Sequence, residues 1–168
     1  IGADNLALSF HKSFGLPIKI VRPFNIYGPR QSARAIIPTI ATQILNDVKT
    51  IKLGNLEAKR DLTFVKDTVM GFIEISKQEK FSGESVNIGM NEEVSIKELV
   101  EKISKITNKE VTIEVDKQRI RPDKSEVDRL MCNNEKLKNN SNRKPAYNLD
   151  KGLEETISWL EENKKLLL

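Results

Sequence analysis

The sequence is poor in the residues from which several common kinds of site are built. Cys132 is the only cysteine among 168 residues, so an intrachain disulfide and a multi-cysteine metal site are both excluded. Aromatic residues make up only 5%, and no finger, recognition-helix or aromatic RNA-binding pattern accompanies the lysines. We therefore expect no metal site and no nucleic-acid partner.

Long apolar runs and a leader pattern are also missing. No run approaches the roughly 20 apolar residues that span a bilayer, and the opening IGADNLALSF has no basic flank or cleavage pattern. Because a single cysteine suits a reducing compartment, we expect a cytoplasmic protein that does not enter a membrane. The sequence opens without methionine and inside a helical pattern, so we interpret it as a fragment that lacks upstream sequence.

The composition that is present suits one core and weakly favours anions. At 168 residues with 38% hydrophobic content, the chain can form one substantial domain or part of one. Its 28 basic residues outnumber the 24 acidic ones, and the lysines are spread along the chain rather than gathered in one block. This balance indicates a mild preference for anionic ligands.

Apolar spacing and turn residues divide the chain into alternating helices and strands, which predicts an α/β fold. Ser95 and Glu98 form a capping box that begins one helix, and we expect Asp67 to cap another that turns Val69 and Phe72 inward. TIKL and LTFV are predicted to pair. The predicted helices lie at 1–14, 36–48, from 67, at 95–106 and 148–163, and the predicted strands are PIKIV, TIKL, LTFV, SVNIG and VTIEV.

The loop RPFNIYGPR, residues 22–30, is the most informative segment. Its arginines, asparagine and tyrosine directly follow a predicted buried strand, and ligands of open α/β sheets bind at such strand ends. The alternative is a Pro/Gly turn with surface arginines. Composition alone does not choose between these two interpretations.

This loop resembles the one after the sixth strand of extended short-chain dehydrogenase/reductases that act on nucleotide sugars. KRDLTFVKDTV is similar to the family's Arg-Asp-aromatic segment, SVNIG to its Asn-Ile-Gly strand end, RIRPDKSEVDR to its late arginine loop and NLDKGLEETISWLEEN to its closing helix. The resemblance covers nearly the whole chain. It implies that residues 1–35 are the C-terminal piece of an NAD-binding Rossmann-type domain and that residues 36–168 form a small mixed α/β lobe that binds the nucleotide sugar.

The resemblance also implies which residues bind the substrate's diphosphate. Arg60 and Arg121 match family positions that reach it, and planar guanidinium groups are well suited to a diphosphate. Arg119 is close enough to exchange roles with Arg121. Asn25 matches a residue that contacts the phosphate or sugar. The alternatives are a local salt bridge for Arg60, for example with Asp61, and a solvated charge for Arg121.

Further implied contacts concern the nucleobase and the cofactor. The base is expected near Ile37 and Leu53, for which ordinary core positions are an equally good interpretation. Pro23, Phe24 and Asn25 are expected to close over the nicotinamide end of NAD. The Gly-rich cofactor turn and the Tyr-x-x-x-Lys motif of the family are absent from this sequence, so we assign no catalytic residue to the chain.

The tract NIYGPRQSARAIIPTIATQIL narrows the resemblance to bacterial dehydratases of nucleotide-activated N-acetylglucosamine in legionaminic-type pathways. It implies an NAD-dependent 4,6-dehydratase that converts UDP- or GDP-N-acetylglucosamine to a 4-keto-6-deoxy sugar nucleotide. Family members commonly dimerise through two helices, one of which looks like the first helix here, so we expect a homodimer. A nucleotide-sugar 4-epimerase and a non-catalytic nucleotide-sugar-binding module stay open, and we expect the chain alone to be inactive.

Overall fold

The computed structural model of the chain describes residues 2–119 and 127–163. Its helices are α1 (Gly2–Phe14), α2 (Ile36–Leu45), α3 (Val65–Lys77), α4 (Ile96–Thr107), α5 (Glu135–Asn140) and α6 (Leu149–Glu162). Its strands are β1 (Ile20–Pro23), β2 (Ile26–Tyr27), β3 (Thr50–Leu53), β4 (Lys59–Arg60), β5 (Thr63–Phe64), β6 (Ser85–Ile88), β7 (Val94–Ser95), β8 (Thr112–Val115) and β9 (Arg129–Leu130).

The strands form small and mostly parallel sheets between helices, which confirms the predicted α/β fold. β1 pairs with β6, β2 with β5 and β3 with β8, all in parallel. β4 lies between β7, to which it is antiparallel, and β9, to which it is parallel. The predicted pairing of TIKL with LTFV is wrong, because both segments find partners elsewhere in the chain. The division at residue 35 stays a prediction.

Two hydrophobic cores hold these elements together. The larger core is formed by α2, α4 and α6 around β3, and the smaller one lies between α3, α5 and the β1–β6 pair. Every fully apolar side chain removed from water contributes roughly 1.5–3 kcal/mol to folding. The smaller core contains Ile75, Phe81, Val86, Ile88 and Leu137.

Helix α4 begins as the sequence predicts. The Ser95 hydroxyl accepts the Glu98 N–H at 3.1 Å, and the Glu98 carboxylate accepts the Ser95 N–H at 2.8 Å, which completes the capping box. These bonds hold the pKa of Glu98 below its usual value. Leu99 and Ile103 then follow on one face and are both fully buried. The capping box and the apolar spacing therefore agree on one helix.

The predicted inward face of α3 is wrong. Val69 and Phe72 are 51% and 43% exposed, whereas the helix packs through a face that contains Gly71 and Ile75. A Cβ at Gly71 would lie 2.7 Å from Cδ1 of Ile88, so only glycine lets the helix approach β6 this closely. Larger apolar side chains therefore face outward. Among the described residues no helix is long and apolar enough to cross a membrane.

Helix α6 packs against β2 through an equally close contact. Tyr27 is 2% exposed, and its hydroxyl donates a hydrogen bond to the Leu149 carbonyl at 3.2 Å. A Cβ on the buried Gly152 would overlap this hydroxyl. Glycine at position 152 therefore allows the tyrosine to reach the first turn of α6.

We expect Gly152→Ala to lower the free energy of unfolding by about 1–3 kcal/mol, because an added methyl group has no space beside Tyr27. The cost should be smaller in a Tyr27→Phe background, in which the overlapping oxygen is gone. Urea denaturation of the single and double variants measures both quantities. Gly2→Ala is the control, since a Cβ there meets nothing within 4 Å. An equal cost in both backgrounds would contradict this explanation.

Candidate functional site

A cleft of about 430 Å³ lies between the loop after β1, the start of α2 and the end of β3. Five of the sequence-predicted binding residues line it, although they come from distant parts of the chain. Arg121, the remaining predicted diphosphate ligand, lies outside the described residues. The five lining residues are Asn25, Ile37, Leu53, Arg60 and Arg119.

The floor of the cleft is apolar and belongs to the larger core. Ile37, in the first turn of α2, and Leu53, at the end of β3, are each 1% exposed. Both contribute to the packing between α2 and β3 as well as to the cleft wall. The two interpretations of these residues, core position and cleft lining, are therefore compatible.

The charged side chains that line the cleft are all basic. Arg34, Arg60 and Arg119 line it, and the described residues that form its wall include no aspartate or glutamate. Guanidinium groups bind phosphate oxygens bidentately and keep their charge at any physiological pH. The cleft is therefore suited to an anion with several oxygen atoms, and a diphosphate has that chemistry.

Each of two arginines is held by contacts close to it in the chain. The Arg60 Nη1 atom donates to the Lys59 carbonyl at 2.8 Å. Arg119 Nε lies 3.4 Å from Asp116 Oδ2, and the Asp116 N–H donates to the Leu53 carbonyl at 2.7 Å, which attaches this turn to the end of β3. Both guanidinium groups are therefore restrained by local contacts, and both residues line the cleft.

Gly54 allows the turn that carries Arg119 to lie close to the end of β3. A Cβ at this position would lie 2.5 Å from the Arg119 carbonyl oxygen, which is a backbone atom and cannot move aside as a side chain can. The segment that carries Arg119 is therefore packed directly on the backbone after β3.

The three residues predicted to contact the cofactor lie at the carboxyl end of β1. Pro23 is exposed and Phe24 is half-buried, with its N–H donating to the Ile88 carbonyl at 2.9 Å. The Asn25 side chain donates to the Asp61 carbonyl at 2.9 Å. A partly exposed segment at a strand end is the place where a dinucleotide pocket is expected in such folds.

Sequence reasoning missed two residues of this region. Gln31 lines the cleft; its Nε2 donates to the Ile26 carbonyl at 2.8 Å, and its Oε1 is buried with no partner among the described residues. Its position directly after the polar loop 22–30 could have indicated that it lines the same site. Asp61 was considered only as an ion-pair partner for Arg60, but it is completely buried. The sequence carries no signal for the distant groups that it binds.

Two buried aspartates bind backbone N–H groups of distant segments. Asp61 accepts hydrogen bonds from the N–H groups of Met90, Asn91 and Cys132. Asp67 is not the cap of α3, which begins at residue 65; instead its carboxylate accepts the N–H groups of residues 146 and 147. A buried carboxylate needs such donors because its desolvation is otherwise very costly.

Cys132 is inert in this environment. Its side chain is fully buried, and burial, with a smaller contribution from Asp61, raises the pKa of the thiol to about 12. The thiol is therefore protonated at neutral pH, and nucleophilic chemistry requires the thiolate. Among the described residues no group of three or more His, Cys, Asp and Glu could hold a metal ion.

Two larger cavities differ from the cleft in composition. One, of about 1170 Å³, is lined by the turn after β6 and the segment 134–148 and contains none of the sequence-predicted residues. The other, of about 560 Å³, shares Arg60 with the cleft but also has five acidic side chains in its wall. The smaller cleft is the better candidate, because its charges favour an anion and the predicted residues meet there.

Comparisons with known proteins identify the family to which the chain belongs. A profile of the GDP-mannose 4,6 dehydratase family matches residues 1–156. The UDP-N-acetyl-alpha-D-glucosaminuronate decarboxylase of Bacillus cytotoxicus is 33% identical over 153 residues, which are 88% of this chain and 47% of that protein.

Two solved structures show the same fold. The dTDP-glucose 4,6-dehydratase of Bacillus anthracis, in complex with NAD, superposes with a TM-score of 0.86 at 32% identity, over 99% of this chain and 52% of that one. The UDP-glucuronic acid 4-epimerase of Bacillus cereus, in complex with UDP-glucuronic acid and NAD, superposes with a TM-score of 0.84 at 28% identity, over 95% and 50%.

The chain therefore belongs to the GDP-mannose 4,6 dehydratase family of NAD-dependent epimerases and dehydratases, which confirms the resemblance to extended short-chain dehydrogenase/reductases. It spans about half the length, or less, of the curated relatives that it matches. The fold and the family are thus established for these residues.

Proposed function

We propose that this chain is the nucleotide-sugar-binding portion of an NAD-dependent nucleotide-sugar 4,6-dehydratase. The proposed substrate is UDP- or GDP-N-acetylglucosamine and the product its 4-keto-6-deoxy derivative. The observation that carries the proposal is the cleft lined by three arginines and by apolar core residues, with no acidic residue among the described residues of its wall. Two relatives support the proposal, because a dTDP-glucose 4,6-dehydratase and a UDP-glucuronic acid 4-epimerase have the same fold.

The proposed binding mode follows from the two surfaces of the cleft. The diphosphate lies between Arg60 and Arg119, where paired guanidinium groups offset its negative charges. The nucleobase contacts the apolar floor near Ile37 and Leu53, and the amide of Asn25 faces the sugar end. Each of these residues lines the same cleft. The buried Oε1 of Gln31 is an additional acceptor close to this wall.

The proposed cofactor is NAD, with Pro23, Phe24 and Asn25 forming one wall of its nicotinamide pocket. NAD supplies the hydride acceptor when it is bound. The overall reaction oxidises C4 of the sugar, removes water across C5 and C6 and returns the hydride to C6. The residues of this chain bind and orient the substrate, and none of them is assigned to a proton transfer, so we also propose that the chain alone does not turn over.

The direct test is an assay of the full protein with UDP- and GDP-N-acetylglucosamine in parallel, and of the 168-residue chain under the same conditions. We expect the full protein to release a product that has lost one water and absorbs in alkali as a 4-keto-6-deoxy sugar does. The nucleotide that is converted identifies the preferred base. The chain alone should give no product.

Other products would assign the protein to other classes. A product of unchanged mass with inverted configuration at C4 would show a 4-epimerase. Binding of the nucleotide sugar without conversion would show a non-catalytic binding module. UDP-N-acetylglucosaminuronate belongs in the same assay, because a relative decarboxylates it by name, and loss of carbon dioxide from it would replace the proposed dehydration. Turnover by the 168-residue chain would contradict the proposal that this chain binds the substrate but does not catalyse the reaction alone.

The role of Arg60 can be tested by comparison with its neighbour. We expect Arg60→Gln to weaken binding of UDP or GDP at least tenfold, because a charged hydrogen bond to phosphate contributes roughly 1.5–3 kcal/mol. Lys59→Gln removes the same charge one residue away, where the ammonium group lies 3.7 Å from Glu93 and does not line the cleft. Isothermal titration should show at most a twofold change for this control. Equal losses would indicate a general charge effect.

We also propose that the protein is a cytoplasmic homodimer that associates through α1. Leu6, Phe10 and Phe14 follow one another at four-residue intervals on this helix and are 62%, 44% and 70% exposed. Phe10→Glu should shift the protein to monomer in sedimentation velocity, because a charge cannot be buried there without a partner. Ser9→Glu places the same charge on the adjacent exposed position and should leave association unchanged. A wild-type monomer at high concentration would refute the dimer.

A further inference from the structure

Asp61 is buried between two chain neighbours that line the candidate cleft, Arg60 and Leu62, and both of its carboxylate oxygens accept hydrogen bonds. Its side chain is 0% exposed. Oδ1 accepts the Met90 N–H at 2.9 Å, and Oδ2 accepts the N–H groups of Asn91 at 2.8 Å and Cys132 at 3.1 Å. These donors lie in two segments that are distant in the chain, the turn after β6 and the residues after β9. One carboxylate thus joins three parts of the backbone.

The backbone of the same residue reaches the cleft. The Asp61 carbonyl accepts the Asn25 side-chain N–H at 2.9 Å, and the Asp61 N–H donates to the Leu130 carbonyl at 2.9 Å. Arg60, the preceding residue, lines the cleft together with Asn25. Any shift of the peptide at position 61 therefore moves the carbonyl that accepts the Asn25 hydrogen bond, and it also moves the backbone of Arg60.

We call the contact of the Asp61 carboxylate with Met90, Asn91 and Cys132 the junction. Its packing leaves little space for movement. A Cβ at Gly89 would overlap the Cys132 Cβ and lie 3.2 Å from Asp61 Oδ2, so the end of β6 is packed against both residues. A buried carboxylate that lost one of its donors would also be strongly destabilised. Packing and desolvation therefore both hold the peptide of residue 61 in one place.

We propose that Asp61 is a positioning residue for the nucleotide-sugar site: its buried carboxylate fixes the backbone from which Arg60 and the Asn25 amide are aligned for the ligand. This inference rests on the proposed function for the identity of the ligand. Asp61 does not line the cleft and is not accessible, so it acts through its neighbours rather than by contact with substrate.

Asp67 provides a matched control. It is 3% exposed, and its carboxylate accepts the N–H groups of Ala146 at 2.9 Å and Tyr147 at 3.0 Å, again across a long separation in the chain. None of these three residues lines the candidate cleft. Asp67→Asn therefore removes a comparable buried carboxylate without disturbing Arg60 or Asn25.

The experiment compares Asp61→Asn with Asp67→Asn in the protein labelled with ¹⁵N. An asparagine side chain presents an N–H₂ group to at least one backbone N–H, so both variants should lose stability to a similar degree. Only Asp61→Asn should shift or broaden the side-chain amide signals of Asn25. It should also weaken binding of UDP or GDP at least tenfold, while Asp67→Asn stays within twofold of the wild type.

A second measurement on the wild type keeps the test decisive if Asp61→Asn does not fold. Coupling between two sites is reciprocal, so a ligand in the cleft has to stabilise the junction that positions it. Saturating UDP or GDP should slow hydrogen exchange of the amides of Met90, Asn91 and Cys132, which do not line the cleft. The amides of Ala146 and Tyr147 should be unaffected.

The outcomes separate this inference from the proposed function. Unchanged Asn25 signals in Asp61→Asn, or equal weakening by both variants, would overturn the positioning role, and so would exchange rates at the junction that do not respond to a bound nucleotide. If the wild type binds neither UDP nor GDP, the proposed function fails. The Asn25 signals of the two variants then still decide whether Asp61 positions this side chain.

Discussion

A carboxylate that is entirely removed from water must be matched by hydrogen-bond donors, and Asp61 meets this requirement with backbone N–H groups from two distant segments. The end of β6, the residues after β9 and the link between β4 and β5 are therefore fixed to one another. Arg60 directly precedes that link, and the acceptor of the Asn25 amide belongs to it. Two residues of the cleft wall therefore depend on a carboxylate that does not itself line the cleft.

Local signals were sufficient for several elements. The capping box at Ser95 and the spacing of Leu99 and Ile103 predict α4 because both depend on residues only three or four positions apart. The convergence of Asn25 and Arg60 in one cleft was predicted differently, from the resemblance of their motifs to a family with a known order of elements. The family is confirmed, whereas the roles of these residues stay proposals.

Other features depend on contacts that a linear pattern does not contain. A two-residue strand such as β4 or β5 has no periodicity from which a partner could be predicted. LTFV, which contains β5, was paired with TIKL for that reason, whereas β5 pairs with β2 and TIKL with β8. The outward face of α3 follows from the close approach of Gly71 to Ile88, which overrides the larger apolar side chains. The partners of Asp61 and the buried oxygen of Gln31 likewise follow only from the folded chain.

The parallel pairing of these short strands has a kinetic consequence. Thr50 faces Thr112, 62 residues further along the chain, and Ile20 faces Ser85 across a similarly long segment. Parallel strands cannot be joined by a tight hairpin, so large loops must close before any of these ladders forms, and such topologies fold slowly. Arg119 follows β8 in the chain, so the wall of the arginine cleft is complete only after β8 has been synthesised and has docked on β3.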